Sequence, residues 1–194
     1  PDIADVLKMQ REISMEMLEK KQLKFIERFK DTNKQLDAIA GVIEIDPYDV
    51  ETPPLALTLA SRYARSGNME KAIEMYQQVA RDFPATKWAE QARYQMLIYE
   101  IKNIPAGTTD TSAFSSIETK IDQFIADFPS SPYKEQLLAT KKQLRNEIAG
   151  RLWKIAEIYK KNGYKKSAEI YYNKIKTEYS DTDYAKKMLS FDIN

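Results

Sequence analysis

The sequence predicts an all-α fold: a short right-handed superhelix of stacked helical hairpins, preceded by a long N-terminal helical arm. Three observations predict it. Residues 152–185 lie on residues 56–89 without a gap, with Leu152, Ile155, Ala156 and Tyr159 standing where Ala56, Leu59, Ala60 and Tyr63 stand. Gly163 matches Gly67, and Ala168 and Tyr172 match Ala72 and Tyr76. Elsewhere apolar residues recur at the three- and four-residue steps of an amphipathic helix, and helix breakers fall where those runs stop.

In chain order, residues 3–44 hold no proline and only Gly41 among glycines, which predicts one helix of roughly 60 Å, or two in line. A loose heptad places Leu18, Phe25 and Ile39 on one track and Phe29, Leu36 and Ile43 on the other, interrupted by Gln22 and Thr32. Such a stripe suits packing along the repeats or a coiled-coil or partner-helix surface. Met9, Met15 and Met17 extend the apolar face. Ile45-Asp46-Pro47 resembles the close of a preceding repeat's second helix; residues 1–46 are expected to form the arm and residues 47–194 the repeat domain.

Pro53 and Pro54 suit a first helical turn, where a missing N–H costs little. The first hairpin is expected over about 54–84, with helices near 54–66 and 69–83 and Gly67 at the turn. A second hairpin follows over about 86–129, its helices near 86–103 and 114–128 separated by a polar loop from Ile104 to Ser112. From Pro132, apolar positions Leu137, Leu144, Ile148, Leu152, Ile155 and Tyr159 predict one helix of about 29 residues, close to 45 Å long. Its return helix is expected at 164–179, completing a hairpin over about 132–180, and a terminal cap helix at 182–190. Tyr159 is expected to be a buried aromatic.

The small residues explain the register physically. Ala60 and Ala156 let paired helices approach, Gly67 and Gly163 supply a left-handed turn, and Ala72 and Ala168 accept the neighbouring helix above Tyr76 and Tyr172. This spacing resembles the tetratricopeptide (TPR) repeat, whose length is about 34 residues. Three junctions share a further formula: Asp82-Phe83-Pro84 with Trp88, Asp127-Phe128-Pro129 with Tyr133, and Glu178-Tyr179-Ser180 with Tyr184. That formula resembles an envelope TPR subtype. The stretch Gln143-Leu144-Arg145-Asn146-Glu147-Ile148-Ala149, running on to Tyr159-Lys160-Lys161-Asn162-Gly163-Tyr164, is similar to the BamD family of outer-membrane β-barrel assembly lipoproteins. The resemblance implies a non-catalytic scaffold at the periplasmic face of the outer membrane. Its partners would be insertase periplasmic domains, substrate peptides or accessory subunits. It further implies a lipid anchor, which would have to precede Pro1. Two alternatives stay open: a CpoB-like periplasmic adaptor that oligomerises through its N-terminal helix, and a regulatory TPR domain of an enzyme complex.

Composition narrows the chemistry. Charge is balanced, 30 basic against 29 acidic residues, so no global field points to nucleic acid. Cysteine and histidine are both absent, which removes disulfides, histidine-based triads and most transition-metal sites. None of the five glycines is spaced as a phosphate-cradling loop, and no run of about 18 apolar residues suits a bilayer. The opening Pro-Asp reads as a mature or trimmed start, with any targeting segment already removed. Glu70 and Glu74 read as a solvated helix face, and Asp181-Thr182-Asp183 as a helix start rather than a cation site. No catalytic residue, cofactor or metal is expected.

The candidate residues are therefore for partner binding. Repeat geometry points Leu57, Ser61 and Arg65 of the first hairpin toward a concave groove, and likewise Trp153 and Glu157 of the last, with Trp153 equally suited to the core. From Arg151 to Lys187 ten basic residues face five acidic ones, and Lys160, Lys161, Lys165 and Lys166 flank the final turn. These four suit a solubilising face or a patch for an acidic protein surface or lipid headgroups.

Overall fold

In the computed structural model, residues 3–19, 32–45, 47–105 and 111–191 are described, and among them every regular element is an α-helix. The chain forms two compact units, Pro1–Ile98 and Tyr99–Asn194.

The first unit holds α1 (Ile3–Glu19), α2 (Thr32–Ile45), α3 (Thr52–Arg65) and α4 (Met69–Asp82). The boundary falls within α5 (Lys87–Lys102). Pro53 and Pro54 open α3, and its buried positions Leu55, Ala56, Leu59, Ala60 and Tyr63 follow the helical repeat. The helix ends in a Schellman motif. The Asn68 N–H donates to the Tyr63 carbonyl at 2.9 Å and the Gly67 N–H to the Ala64 carbonyl at 3.2 Å, with Gly67 at φ +85°. Asn68 then caps α4, its side-chain oxygen accepting from the Lys71 N–H at 3.4 Å. Ala60 and Ala72 have no exposed surface, so the two backbones pack closely. Leu36, Ile39 and Ile43 of α2 complete the same core, with Met15 of α1 and Trp88 of α5 packed against it. The two N-terminal helices do not lie in line. α1 packs against both α2 and α3, and Arg11 of α1 reaches Asp49 at 3.2 Å. The side chains of Leu18, Gln22, Phe25, Phe29 and Thr32, on which the heptad rests, lie outside the described residues.

The second unit holds the end of α5, then α6 (Ser112–Asp127), α7 (Lys134–Lys161), α8 (Lys165–Glu178) and α9 (Asp183–Phe191). α7 runs for 28 residues, as its unbroken periodicity predicts; Pro132, from which the sequence predicts it to run, sits in the turn before it. Its first half packs on α6 through Leu137, Leu144 and Ile148, opposite Phe114, Ile117, Ile121 and Phe124, and its second half pairs with α8. α9 packs on both α7 and α8.

The two halves of the internal match close identically. The Tyr164 N–H donates to the Tyr159 carbonyl at 2.9 Å and Gly163 N–H to the Lys160 carbonyl at 3.1 Å, with Gly163 at φ +84°. The three acidic-aromatic junctions also share one backbone conformation: Phe83, Phe128 and Tyr179 have φ of −124°, −129° and −126°. Thr86 and Thr182 occupy the same place after two of them. Each hydroxyl donates back to the junction aromatic's carbonyl, at 2.6 and 2.7 Å, and accepts the N–H of Ala89 or Ala185.

Candidate interaction surface

The last hairpin carries most of the residues singled out from sequence. Trp153 is half-buried and meets Tyr172 of α8 edge-on at 5.3 Å and Tyr184 of α9 at 6.1 Å. The Lys187 ammonium lies 5.1 Å from its ring centroid. Trp153 therefore joins three helices while keeping part of its surface open. Glu157 is exposed and accepts a hydrogen bond from the Tyr172 hydroxyl. Burial, then that bond and the carboxylate charge, push Tyr172 up to about 12.

Lys160 and Lys161 lie in the last turn of α7, and Lys165 and Lys166 open α8. All four are exposed, and none has an ion-pair partner among the described residues. The first pair complements the α7 dipole; the second opposes that of α8, whose first turn has no acidic residue. Cations at a helix N-terminus cost about 0.3–1 kcal/mol each where a carboxylate would help. The matched turn of α4 carries Glu70 instead. The second lysine pair thus gives nothing back to its own helix.

The first-hairpin candidates divide. Leu57 is 5 % exposed and belongs to the core of the first unit, so it offers no surface for a partner. Its side chain lies on the stripe that α3 buries, which a small shift in the assumed groove direction misassigns. Ser61 is partly buried and its hydroxyl donates to the Thr58 carbonyl at 2.8 Å. Arg65 is exposed. Tyr159 is half-buried rather than buried, stacked on Tyr171 at 5.6 Å and edge-on to Tyr164 at 6.3 Å.

Sequence reasoning missed two features. Arg145 is the hub of the second unit: its guanidinium donates to both Asp181 carboxylate oxygens, to Glu118 at 2.9 Å and to the Glu178 carbonyl at 2.6 Å, and lies 5.1 Å from the Tyr179 ring. It ties α6 and α7 to the α8–α9 junction. Asp181 is held below the usual carboxylate range chiefly by this bond. The second feature is an apolar trio at the last hairpin, Ile158, Tyr164 and Ile170, each exposed. Both signals were present in the sequence, one in the Leu144-Arg145 pair and the other in the internal register.

Among the described residues no group of acidic, cysteine or histidine side chains is placed to hold a metal ion, and no helix is long and apolar enough to cross a membrane. The hairpins define a helical-repeat protein of the tetratricopeptide class, and residues 57–86 match the tetratricopeptide repeat family. Residues 100–194, nearly the whole second unit, match the family YfiO, described as an outer membrane lipoprotein. That half of the chain is thus BamD-like, similar to outer membrane lipoproteins, and the first hairpin is TPR-like. Both are families of non-catalytic scaffolds. No curated protein matches it.

Proposed function

We propose that the chain is a non-catalytic interaction scaffold of the bacterial cell envelope. It works at the periplasmic face of the outer membrane in the assembly of β-barrel proteins. The observation that carries this reading is the exposed lysine quartet of the last hairpin, which has no ion-pair partner among the described residues and lies inside the stretch similar to outer membrane lipoproteins. Free cations on a rigid hairpin steer an acidic protein surface and fix its orientation more than they add affinity. Trp153 and Glu157 border that quartet on α7 and offer an aromatic edge and an acceptor, while Arg65 and Ser61 serve the first hairpin. Partners are the periplasmic domains of an insertase, substrate peptides or accessory subunits; nucleic acid is not among them.

The test is capture from a detergent-solubilised envelope extract by the purified chain. Barrel-assembly components are expected in the bound fraction, and far less of them with Lys160, Lys161, Lys165 and Lys166 all changed to Glu, at unchanged helicity by circular dichroism. Recovery of no such component rejects the proposal. One observation favours a second reading, self-association through α1: Ile3, Met9 and Ile13 are exposed along that helix. Sedimentation at increasing concentration decides it, since a monomer throughout excludes it.

A further inference from the structure

The internal match allows the two hairpins to be compared position by position, which isolates what the last one adds. Ile158 stands where the first hairpin has Arg62, Tyr164 where it has Asn68, and Ile170 where it has Glu74. The hairpin architecture therefore accepts polar residues at all three places. The last hairpin has apolar ones, and they are open to solvent: Ile158 at 60 %, Tyr164 at 63 % and Ile170 at 67 % exposure. The surrounding lysines are equally particular to it, since Lys160, Lys165 and Lys166 stand where the first hairpin has Ala64, Met69 and Glu70.

The placement along the helices is as telling as the composition. At 1.5 Å per residue, Ile158 and Ile170 both lie within about 8 Å of the turn that holds Tyr164. All three can therefore enter the outer 5–10 Å of a bilayer, the depth typical of interfacial apolar residues. Tyrosine prefers that boundary because its ring is apolar and its hydroxyl stays wet. Lysine stems lie along apolar surface while their ammonium groups reach the headgroups. Among the described residues of the hairpin near the turn the acidic groups are Glu157, engaged by the Tyr172 hydroxyl, and Glu169 on α8. A protein partner recognised by charge alone has no need of three exposed apolar side chains around the turn.

We infer that the tip of the last hairpin, Ile158, Tyr164 and Ile170 within the lysine quartet, docks on an anionic lipid surface. It lies on the membrane and does not cross it. The inference rests on the envelope location proposed above and adds a second ligand to the same hairpin.

The test is vesicle flotation with the full chain, using phosphatidylcholine alone or mixed with phosphatidylglycerol, at low and high salt. Binding is expected only to the anionic vesicles and is lost at high salt. Reversing the four lysines to Glu should weaken it roughly tenfold or more, given the attraction each basic residue feels near such a surface. The variant I158S/Y164S/I170S, which keeps every lysine, should also lose at least about tenfold, with its helical spectrum unchanged. Tyr164→Trp should show a blue-shifted emission on anionic vesicles relative to the wild-type chain. Equal binding to neutral vesicles, no binding to anionic ones, or full binding by the triple serine variant would each overturn the inference. So would a triple variant that loses capture of protein partners from detergent extract while still floating, because the tip would then be a protein-docking site. Failure of capture with flotation intact would instead count against the scaffold reading alone.

Discussion

A Cβ on Gly150 would lie 2.9 Å from the ring and hydroxyl of Tyr184, closer than real side chains approach. Glycine in mid-helix costs about 1 kcal/mol relative to alanine, so the contact with α9 opposes the propensity of α7. Gly150→Ala is expected to gain that amount only where the ring is absent. In the wild type it must displace Tyr184 from its place beside Trp153, and it should destabilise; in a Tyr184→Ala background it should stabilise by about 1 kcal/mol. Urea denaturation of the four proteins of the cycle measures the coupling, and additive effects would remove the steric account. Arg145 yields a pH prediction. Because its bond lowers the Asp181 pKa, the pair's contribution is complete above the ordinary aspartate value of 3.8 and is lost as pH falls through the lowered one. Asp181 is half exposed, which screens the effect and keeps it modest. Arg145→Met should therefore narrow the stability difference between neutral pH and the acid range, and an unchanged acid-unfolding profile would show the pair to be idle.

At the scale of helices, the matched tyrosines show how one motif is used in two ways. Tyr63 is 1 % exposed, covered by α2, and donates to Asp37 at 2.5 Å; burial and that carboxylate push its hydroxyl well above the ordinary tyrosine range. Tyr159 instead packs on Tyr171 and Tyr164 of its own hairpin. Tyr63→Ala should cost about 3–5 kcal/mol, as truncation of a buried aromatic does, and Tyr159→Ala roughly half of that, both read from denaturant midpoints. Equal losses would mean that Tyr159 is as well covered as its counterpart. The hairpins themselves were legible in the sequence because steric need leaves few choices: Gly67 and Gly163 for a left-handed turn, Ala60 and Ala72 for close helices, and an aromatic before each stop. The packing of α1 was not. Apolar positions such as Met9 and Met15 read the same whether they face the chain's own hairpin or another protein, and periodicity carries no information on which: Met15 packs on the core and Met9 is exposed. Leu57 failed for a related reason: positions four apart on a helix drift by about 40°, so the track Leu57, Ser61, Arg65 runs from buried to exposed, and spacing alone does not say where it crosses the edge.

Taken whole, the chain is nearly neutral, with a formal net charge of +1, so it exerts little long-range field and its electrostatics are local. The quartet around the last turn then dominates how an acidic surface arrives. Local steering acts on encounter and is screened beyond about 10 Å at moderate salt, whereas short-range packing sets how long a complex lasts. With a barrel-assembly partner immobilised, reversal of Lys160, Lys161, Lys165 and Lys166 should lower the association rate by roughly tenfold or more and leave dissociation nearly unchanged. The wild-type association rate should fall with added salt, and that of the reversed variant should not. Surface plasmon resonance at two ionic strengths separates the two rates. A loss confined to dissociation would place the lysines inside a packed interface rather than in front of it, and Trp153 would then be the residue to truncate next.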